Sequence, residues 1–284
     1  MNRSNSHIAR NFYPGENWLY IKIYGGITTC DQLLVDVIYP AIVGLKRSKI
    51  IDNWFFIRYS DPEFHLRIRL LLNSNDKTTE ALNALNRRLL PLCRSRFLHK
   101  MSIDTYEREL ERYGKATMDA TESFFDIDSH CICQVLKLLL QEGNGAARWR
   151  VAFVWVDTLL DAFGLNLNQK WELMNKMSGA YLNEFGFNEH KIKPLANKYR
   201  QLSGAITQLL QGQGLDSATC QAMRRNQLKI KKLLQSTDVE QLNLSSLLHM
   251  SMNRLFASQN RLNELVLYYC LERYYRKEVK KRED

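Results

Sequence analysis

An α+β fold is what this sequence predicts: a single domain whose N-terminal part mixes strands and helices around an antiparallel sheet, followed by a mainly helical C-terminal half. Three features point to it. Two early stretches, "NWLYIKIYGG" and "FHLRIRLLL", alternate apolar and polar residues with the period of a strand. The second follows the apolar run "WFFIRY" across "SDPE", a tight-turn sequence containing proline, so the two read as a hairpin. Beyond "MSIDTYERELERYG" the apolar spacing becomes helical and stays so to the C-terminus.

Taken in order, "NWLYIKIYGG" sets Leu19, Ile21 and Ile23 against Tyr20, Lys22 and Tyr24 and ends in a glycine turn. "TTCDQLLVDVIYPAIVGLK" follows as a helix, with Thr28 or Thr29 placed to cap it and Pro40 expected to kink or end it. After the hairpin, Leu82, Leu85, Leu89 and Leu90 predict a helix over about residues 77 to 97. "DIDSHCICQVLKLLLQ" offers Asp128 and Ser129 as N-caps and a glycine stop in "EGNG". "RWRVAFVWVDTLLDAFGL" has helical spacing despite its β-branched residues, and "NQKWELMNKMSGAYLNEFGF" opens a run of further helices. The expected boundaries are an N-terminal extension over 1–16, the domain over 17–276 and a charged tail over 277–284.

At 284 residues, 45% hydrophobic and 11% aromatic, the chain can bury a sizeable core. No stretch approaches the roughly 18 uninterrupted apolar residues of a membrane span, and the N-terminal residues lack the apolar segment of a secretory signal. The six cysteines sit mostly inside apolar helical patterns, and the single residue between Cys131 and Cys133 does not fit a zinc CxxC. These features predict a soluble, reduced, cytoplasmic protein. The net charge of +10 is a weak pointer to anionic partners. In "MRRNQLKIKKLL" a helix places Arg225, Lys229 and Lys232 on one face with Leu228 and Leu234 turned away. A solvated face explains this more simply than RNA or an acidic peptide, and no RNA-recognition or helix-turn-helix signature accompanies it.

Phosphate-binding glycine loops, GxSxG, HExxH and metal-ligand spacings are absent from the sequence. Three groupings remain. Arg67 and Arg69 lie two apart on a strand, about 6.5–7 Å between Cα atoms, and point the same way. Such a pair repels itself unless an anion or carboxylates lie nearby; the competing reading is a solvent-exposed sheet face. "YERELERYG" supplies carboxylates: on a helix Glu109 and Arg112 are i,i+3 neighbours, on a strand Arg108 and Arg112 share a face, and the periodicity leaves both open. "SLLHMSMNRLF" as a helix puts His249, Met252, Asn253 and Phe256 on one stripe. His249 there is either a hydrogen-bonded core residue or a proton-transfer group whose ordinary pKa suits work near neutrality.

The strings "WFFIRYSDPEFHLRIRL", "YERELERYG", "ESFFDIDS" and "SLLHMSMNRLF", in this order, resemble the successive motifs of the C-terminal, glutamate-elimination domain of class I lanthipeptide dehydratases, which also occurs as free-standing thiopeptide-type bacteriocin biosynthesis proteins. The resemblance runs from about Trp18 to Tyr275. It implies a carbon–oxygen lyase that removes glutamate from glutamylated Ser or Thr of a precursor peptide, leaving dehydroalanine or dehydrobutyrine. It carries catalytic roles onto Arg67, Arg69, Glu109, Arg112 and His249, and substrate contacts onto Arg58, His65, Asn253 and Arg254. No metal or cofactor is implied.

The expected partners are the glutamylated peptide and a separate tRNA-dependent glutamylating protein, this chain being read as one half of a split dehydratase. Direct tRNA binding is not expected, and a homodimer is compatible with the resemblance. One departure stands out: the family usually has a second glycine after R-Y-G, where this chain has Lys115. The same fold is reused by thiopeptide pyridine synthases for a formal [4+2] cycloaddition, and a non-catalytic peptide-binding subunit is a third reading. The complete Arg/Glu/His set favours elimination.

Overall fold

A computed structural model describes residues 8–143 and 145–283. The α+β class and the order of its parts are as expected, with the helices and strands falling into two compact units. The first comprises residues 1–133 with 236–246, and the second 134–235 with 247–284.

The first unit opens with β1 (Asn11–Phe12) and β2 (Trp18–Gly25), then a helix built from α1 (Cys30–Gln32), a π-helical segment over Leu33–Ile38, and α2 (Tyr39–Arg47). Pro40 does not end this helix. It sits in the first turn of α2, and the wider π turn before it is a common way for a helix to accommodate an interruption of its ladder. Thr29 stands at the N-cap, but its hydroxyl donates to the Gly26 carbonyl at 3.1 Å instead of accepting from the helix.

The hairpin β3 (Ile51–Ser60) and β4 (Phe64–Leu72) follows, then α3 (Thr78–Arg94) and β5 (Leu98–Asp104). The sheet order is β3-β4-β2-β5 with every neighbouring pair antiparallel. Two strand–helix–strand connections around an antiparallel sheet of this order make the split βαβ, ferredoxin-like arrangement. One face carries Leu19, Ile21, Trp54, Phe56, Ile68 and Leu70, all at most 2% exposed. The helices α2 and α3 pack on the sheet through β3 and β5 and on each other. Along α3 the buried seam is Ala81, Leu85 and Leu89, with Leu90 44% exposed, so the stripe is rotated from the all-leucine one expected.

β6 (Tyr106–Glu107) pairs with β1, α4 (Leu110–Tyr113) is a single turn, and α5 (Met118–Glu142) then leads out of the first unit. Asp128 and Ser129 are not N-caps, because α5 begins ten residues earlier and both are fully buried inside it. Ser129 Oγ accepts from the Phe56 amide at 3.4 Å, and Asp126 accepts from the Trp54 amide at 3.0 Å while holding Lys46 at 2.6 Å. These amides belong to the edge strand β3, so polar side chains of α5 satisfy donors that a bare edge leaves unpaired.

The second unit is helical: α6 (Gly145–Ala162), α7 (Leu167–Glu184), α8 (Glu189–Leu210), α9 (Ser217–Gln235), most of α10 (Leu244–Leu255) and α11 (Asn260–Glu283). α11 packs along α7 and α8, and α6 against α8 and α9. Packing outweighs the β-branched residues of α6, whose Val151, Trp155 and Val156 are at most 1% exposed. Asn166 caps α7 in a reciprocal box with Gln169. On α9 the buried side is Ala222, Met223, Asn226, Ile230 and Leu234, which leaves Leu228 59% exposed beside the cations instead of turned inward. None of the described helices is long and apolar enough to cross a membrane.

Candidate functional site

The open face of the sheet holds the charged residues. Register places Phe55, Arg69, Tyr20 and Asp104 in one cross-strand row, and Ile57, Arg67, Lys22 and Ser102 in the next. A third row runs Tyr59, His65, Tyr24 and Lys100. This face is not simply bathed in solvent: Arg69 is 7% exposed and His65 1%. The guanidinium carbon of Arg69 lies 4.5 Å from the Tyr20 ring centre, 4.6 Å from Tyr106 and 5.2 Å from Phe55. It is boxed by aromatic faces, and among the described residues its Nε has no hydrogen-bond partner and no carboxylate pairs with it. Arg67, half-buried, stacks 3.3 Å from the Tyr59 ring centre and also lacks a carboxylate partner among the described residues.

The segment "YERELERYG" resolves the ambiguity of its periodicity by being strand and then helix. β6 turns Tyr106 inward, Arg108 follows at 7% exposure, and the α4 turn buries Leu110 and Tyr113, so Glu109, Glu111 and Arg112 remain accessible. Gly114 ends that turn at φ 77°, and a Cβ there would come within 2.7 Å of Thr117 Oγ1, so the glycine is needed. Arg112 donates from Nε to Ser246 Oγ at 3.0 Å and pairs with Glu109 at 3.3 Å. Asn243 ties this corner down, donating to the Arg112 carbonyl at 3.1 Å and accepting from the Ser246 amide at 3.1 Å as an N-cap would.

Arg67, Arg69, Glu109 and Arg112 thus line one cavity of about 540 Å³, with Arg10, Tyr20, Lys22, Asp104 and Arg108 among its other walls. Lys22 is bound to Asp104, which raises the ammonium's pKa and lowers that of the carboxyl. Arg108 is held by Glu122 and by Asp119 at 2.8 Å, and Arg10 by Glu111. With these cations matched, Arg67 and Arg69 are the two that call for an anion from outside. A buried guanidinium without a counter-charge is costly unless a ligand supplies one.

The family profile described as "Lantibiotic biosynthesis dehydratase C-term" matches residues 18–275. The chain belongs to this family. It is 29% identical to the nisin biosynthesis protein NisB of Lactococcus lactis subsp. lactis and 25% identical to the subtilin biosynthesis protein SpaB of Bacillus subtilis. Each alignment covers 94% of this chain and 26% of the relative, so the chain spans about a quarter of their length. The crystal structure of the tRNA dependent lantibiotic dehydratase MibB from Microbispora sp. 107891 superposes with a TM-score of 0.66 at 25% identity, over 96% of this chain and 29% of that one. TsrL (TM-score 0.65, 13% identity, 93% and 96% covered) and the pyridine synthase TbtD from thiomuracin biosynthesis (0.60, 12%, 92% and 98%) share the fold.

Among the dehydratase-family residues, Arg58 needs correction. Ser60 opposite Phe64 closes the hairpin, which puts Arg58 opposite Leu66 on the helix-covered face. There it is 3% exposed and donates to Asp31 at 2.6 Å and to Cys30 Sγ at 2.8 Å. It ties the sheet to α1 and does not join Arg67 and Arg69. Lys115 in place of the family's second glycine brings no strain: among the described residues the non-glycine positions with positive φ are Lys49, Arg96 and Gln259.

His249 belongs to the second unit. Its Nδ1 lies 2.9 Å from a carboxylate oxygen of Glu264, which is fully buried and also accepts from Tyr268 at 3.0 Å. The carboxylate fixes the proton on Nδ1, which leaves Nε2 as the exchanging nitrogen in the neutral ring. Asn253 is half-buried on the same helix, and Arg254 is wholly buried within that unit. Sequence reasoning passed over Glu264, Asn243 and Glu122, because their partners, His249, Arg112 and Arg108, are set by the tertiary structure and leave no local signal.

His65 supports Arg67. Its Nδ1 is 2.9 Å from the Glu63 carbonyl, so it donates there, and Nε2 accepts from Arg67 Nε at 3.2 Å. Tyr24 stacks on the ring at 4.6 Å. Burial, and after it the charge of Arg67, lowers the pKa of His65 below 6.5. The neutral ring's stabilisation is therefore complete above pH 6.5 and is lost as pH falls through the lower folded value. NMR titration of His65 is expected to give a midpoint below 6.5; a midpoint at or above it contradicts this hydrogen-bond assignment.

Proposed function

We propose that the chain is a lyase that eliminates glutamate from glutamylated Ser or Thr in a precursor peptide, forming dehydroalanine or dehydrobutyrine. The observation that carries this reading is Arg69, a buried guanidinium with no carboxylate partner, at the position the family motif gives to an anion-binding arginine. Arg69 takes the side-chain carboxylate of the glutamyl group. Arg67 and Arg112 stabilise charge on the peptide enolate and on the departing carboxylate, where fixed donors are most effective. Glu109 orients Arg112 and faces the glutamyl ammonium. His65 holds Arg67, and Asn253 contributes to peptide binding.

In the reaction a base removes the α-proton of the esterified residue, its electron pair forms the Cα=Cβ bond, and the Cβ–Oγ bond breaks to release glutamate as a carboxylate. The His249–Glu264 dyad is assigned the proton transfer on its motif and on the tautomer that Glu264 enforces. The glutamyl ester must be made beforehand by a glutamyl-transfer activity, whichever polypeptide carries it.

Incubation with a pre-glutamylated peptide tests the proposal by mass spectrometry. Loss of glutamic acid from the peptide is the expected result. Macrocycle formation from a dehydrated peptide would instead make the chain a cyclase, and binding without turnover would make it a scaffold. His249→Asn is expected to abolish the loss; turnover at the wild-type rate would remove His249 from the mechanism.

A further inference from the structure

The two edges of the four-stranded sheet are treated differently. On β3 the outward amides of Trp54 and Phe56 are satisfied by Asp126 and Ser129 of α5. On β5 the backbone pairs with β2 on one side. On its other side residues 98–104 have no backbone or side-chain partner for their main-chain groups among the described residues. An antiparallel strand with one neighbour leaves about half its N–H and C=O groups pointing outward.

Two further features show that this edge is not merely a solvated margin. Ile103 lies opposite Ile21, which is 1% exposed, yet Ile103 itself is 44% exposed. An apolar side chain is thus left open where the next strand would cover it. Met101, Ser102 and Ile103 carry neither proline nor charge; His99, Lys100 and the irregularity in pairing at Tyr24 and Gly25 blunt only the N-terminal half of this edge, the half away from the cavity. At its C-terminal end Asp104 and the following Thr105 line the anion cavity. The open edge therefore runs directly to the mouth of the site.

We infer that β5 is a docking edge for the substrate peptide, which binds as an added strand and delivers its modified residue to the cavity. This rests on the lyase reading above and specifies how that substrate is held. Pairing through main-chain groups reads no side chains. Side-chain contacts at this edge are then few, with Ile103 contributing a cover contact and Lys100 favouring acidic neighbours.

Hydrogen exchange of the β5 amides tests the inference, with a glutamylated peptide and with free glutamate as separate additions. The peptide is expected to protect amides within residues 98–104, and free glutamate to leave them unchanged. Ile103→Lys is expected to raise KM for the peptide about two- to fivefold with kcat retained. Its far-UV circular dichroism and thermal midpoint show whether it folds. Elimination that proceeds with no β5 protection and a normal KM for the variant overturns the docking edge and leaves the lyase reading intact. Absence of any elimination by the wild-type protein overturns the lyase reading itself. Protection of β5 that rises with protein concentration and needs no peptide assigns the edge to a second copy of the chain, and also overturns the inference.

Discussion

Replacing Arg69 with methionine is expected to lower kcat/KM for a glutamylated peptide by about a hundred- to thousandfold, while leaving the protein as stable as before or more so. The two halves of this result have one cause. Arg69 is 7% exposed, and the π faces of Tyr20, Phe55 and Tyr106 offset only part of the cost of removing its charge from water. Methionine keeps the length and the contact with the three rings without the charge. A core arginine would behave in the opposite way: its loss would lower the denaturation midpoint and leave turnover of the remaining folded protein unchanged. Chemical denaturation and steady-state kinetics on the same preparation separate the two. A stable Arg69→Met variant with wild-type kcat/KM would show that the unpaired guanidinium is not the site of anion binding.

Much of this site was legible in the sequence because it sits on strands, where parity is absolute. The alternation in "HLRIRLLL" assigns Arg67 and Arg69 to one face whatever the rest of the fold does. Whether that face was wet or covered was not legible. The cover comes from Tyr106, 37 residues after Arg69, and nothing in the β4 pattern refers to it. Arg58 shows the opposite failure. Once Ser60 is opposite Phe64 the parity of β3 already sends Arg58 to the apolar face, so motif membership alone misassigned it.

The motif "ESFFDIDS" was recognisable as a string without an evident task, and its helical spacing explains why. Glu122, Asp126 and Ser129 fall at i, i+4 and i+7 on α5, one stripe of a helix. Asp126 and Ser129 are spent on the β3 edge, and Glu122 on Arg108 and Tyr106. A polar stripe of this kind is normally the solvent side of a helix. Here it is buried because the β3 amides and the Arg108 and Tyr106 side chains present donors to it, which only the tertiary structure can show.

Glu122 carries the second large expectation: Glu122→Ala should destabilise the first unit by about 3–5 kcal/mol. Its carboxylate accepts from Arg108 Nε at 2.8 Å and Nη2 at 2.5 Å, and from the Tyr106 hydroxyl at 2.8 Å, at 2% exposure. Burial pushes the pKa of this carboxyl above the ordinary range even with the Arg108 guanidinium beside it. Its removal strands that guanidinium, which among the described residues keeps the largely exposed Asp119, a weak contact with the Ala9 carbonyl and the Phe12 ring 4.9 Å away. It also frees Tyr106, one wall of the box around Arg69. The double variant Arg108→Met, Glu122→Leu removes both charges together and is expected to recover most of the lost stability, because the penalty comes from the orphaned charge and not from a missing attraction. Urea denaturation of the two variants checks this. If the double variant is as unstable as Glu122→Ala, the pair is a net stabiliser in its own right. Kinetics on Tyr106→Phe, which keeps the ring and both charges, then give a separate readout: a stable variant that turns over slowly would show that the Tyr106–Glu122 hydrogen bond positions Arg69 for its anion.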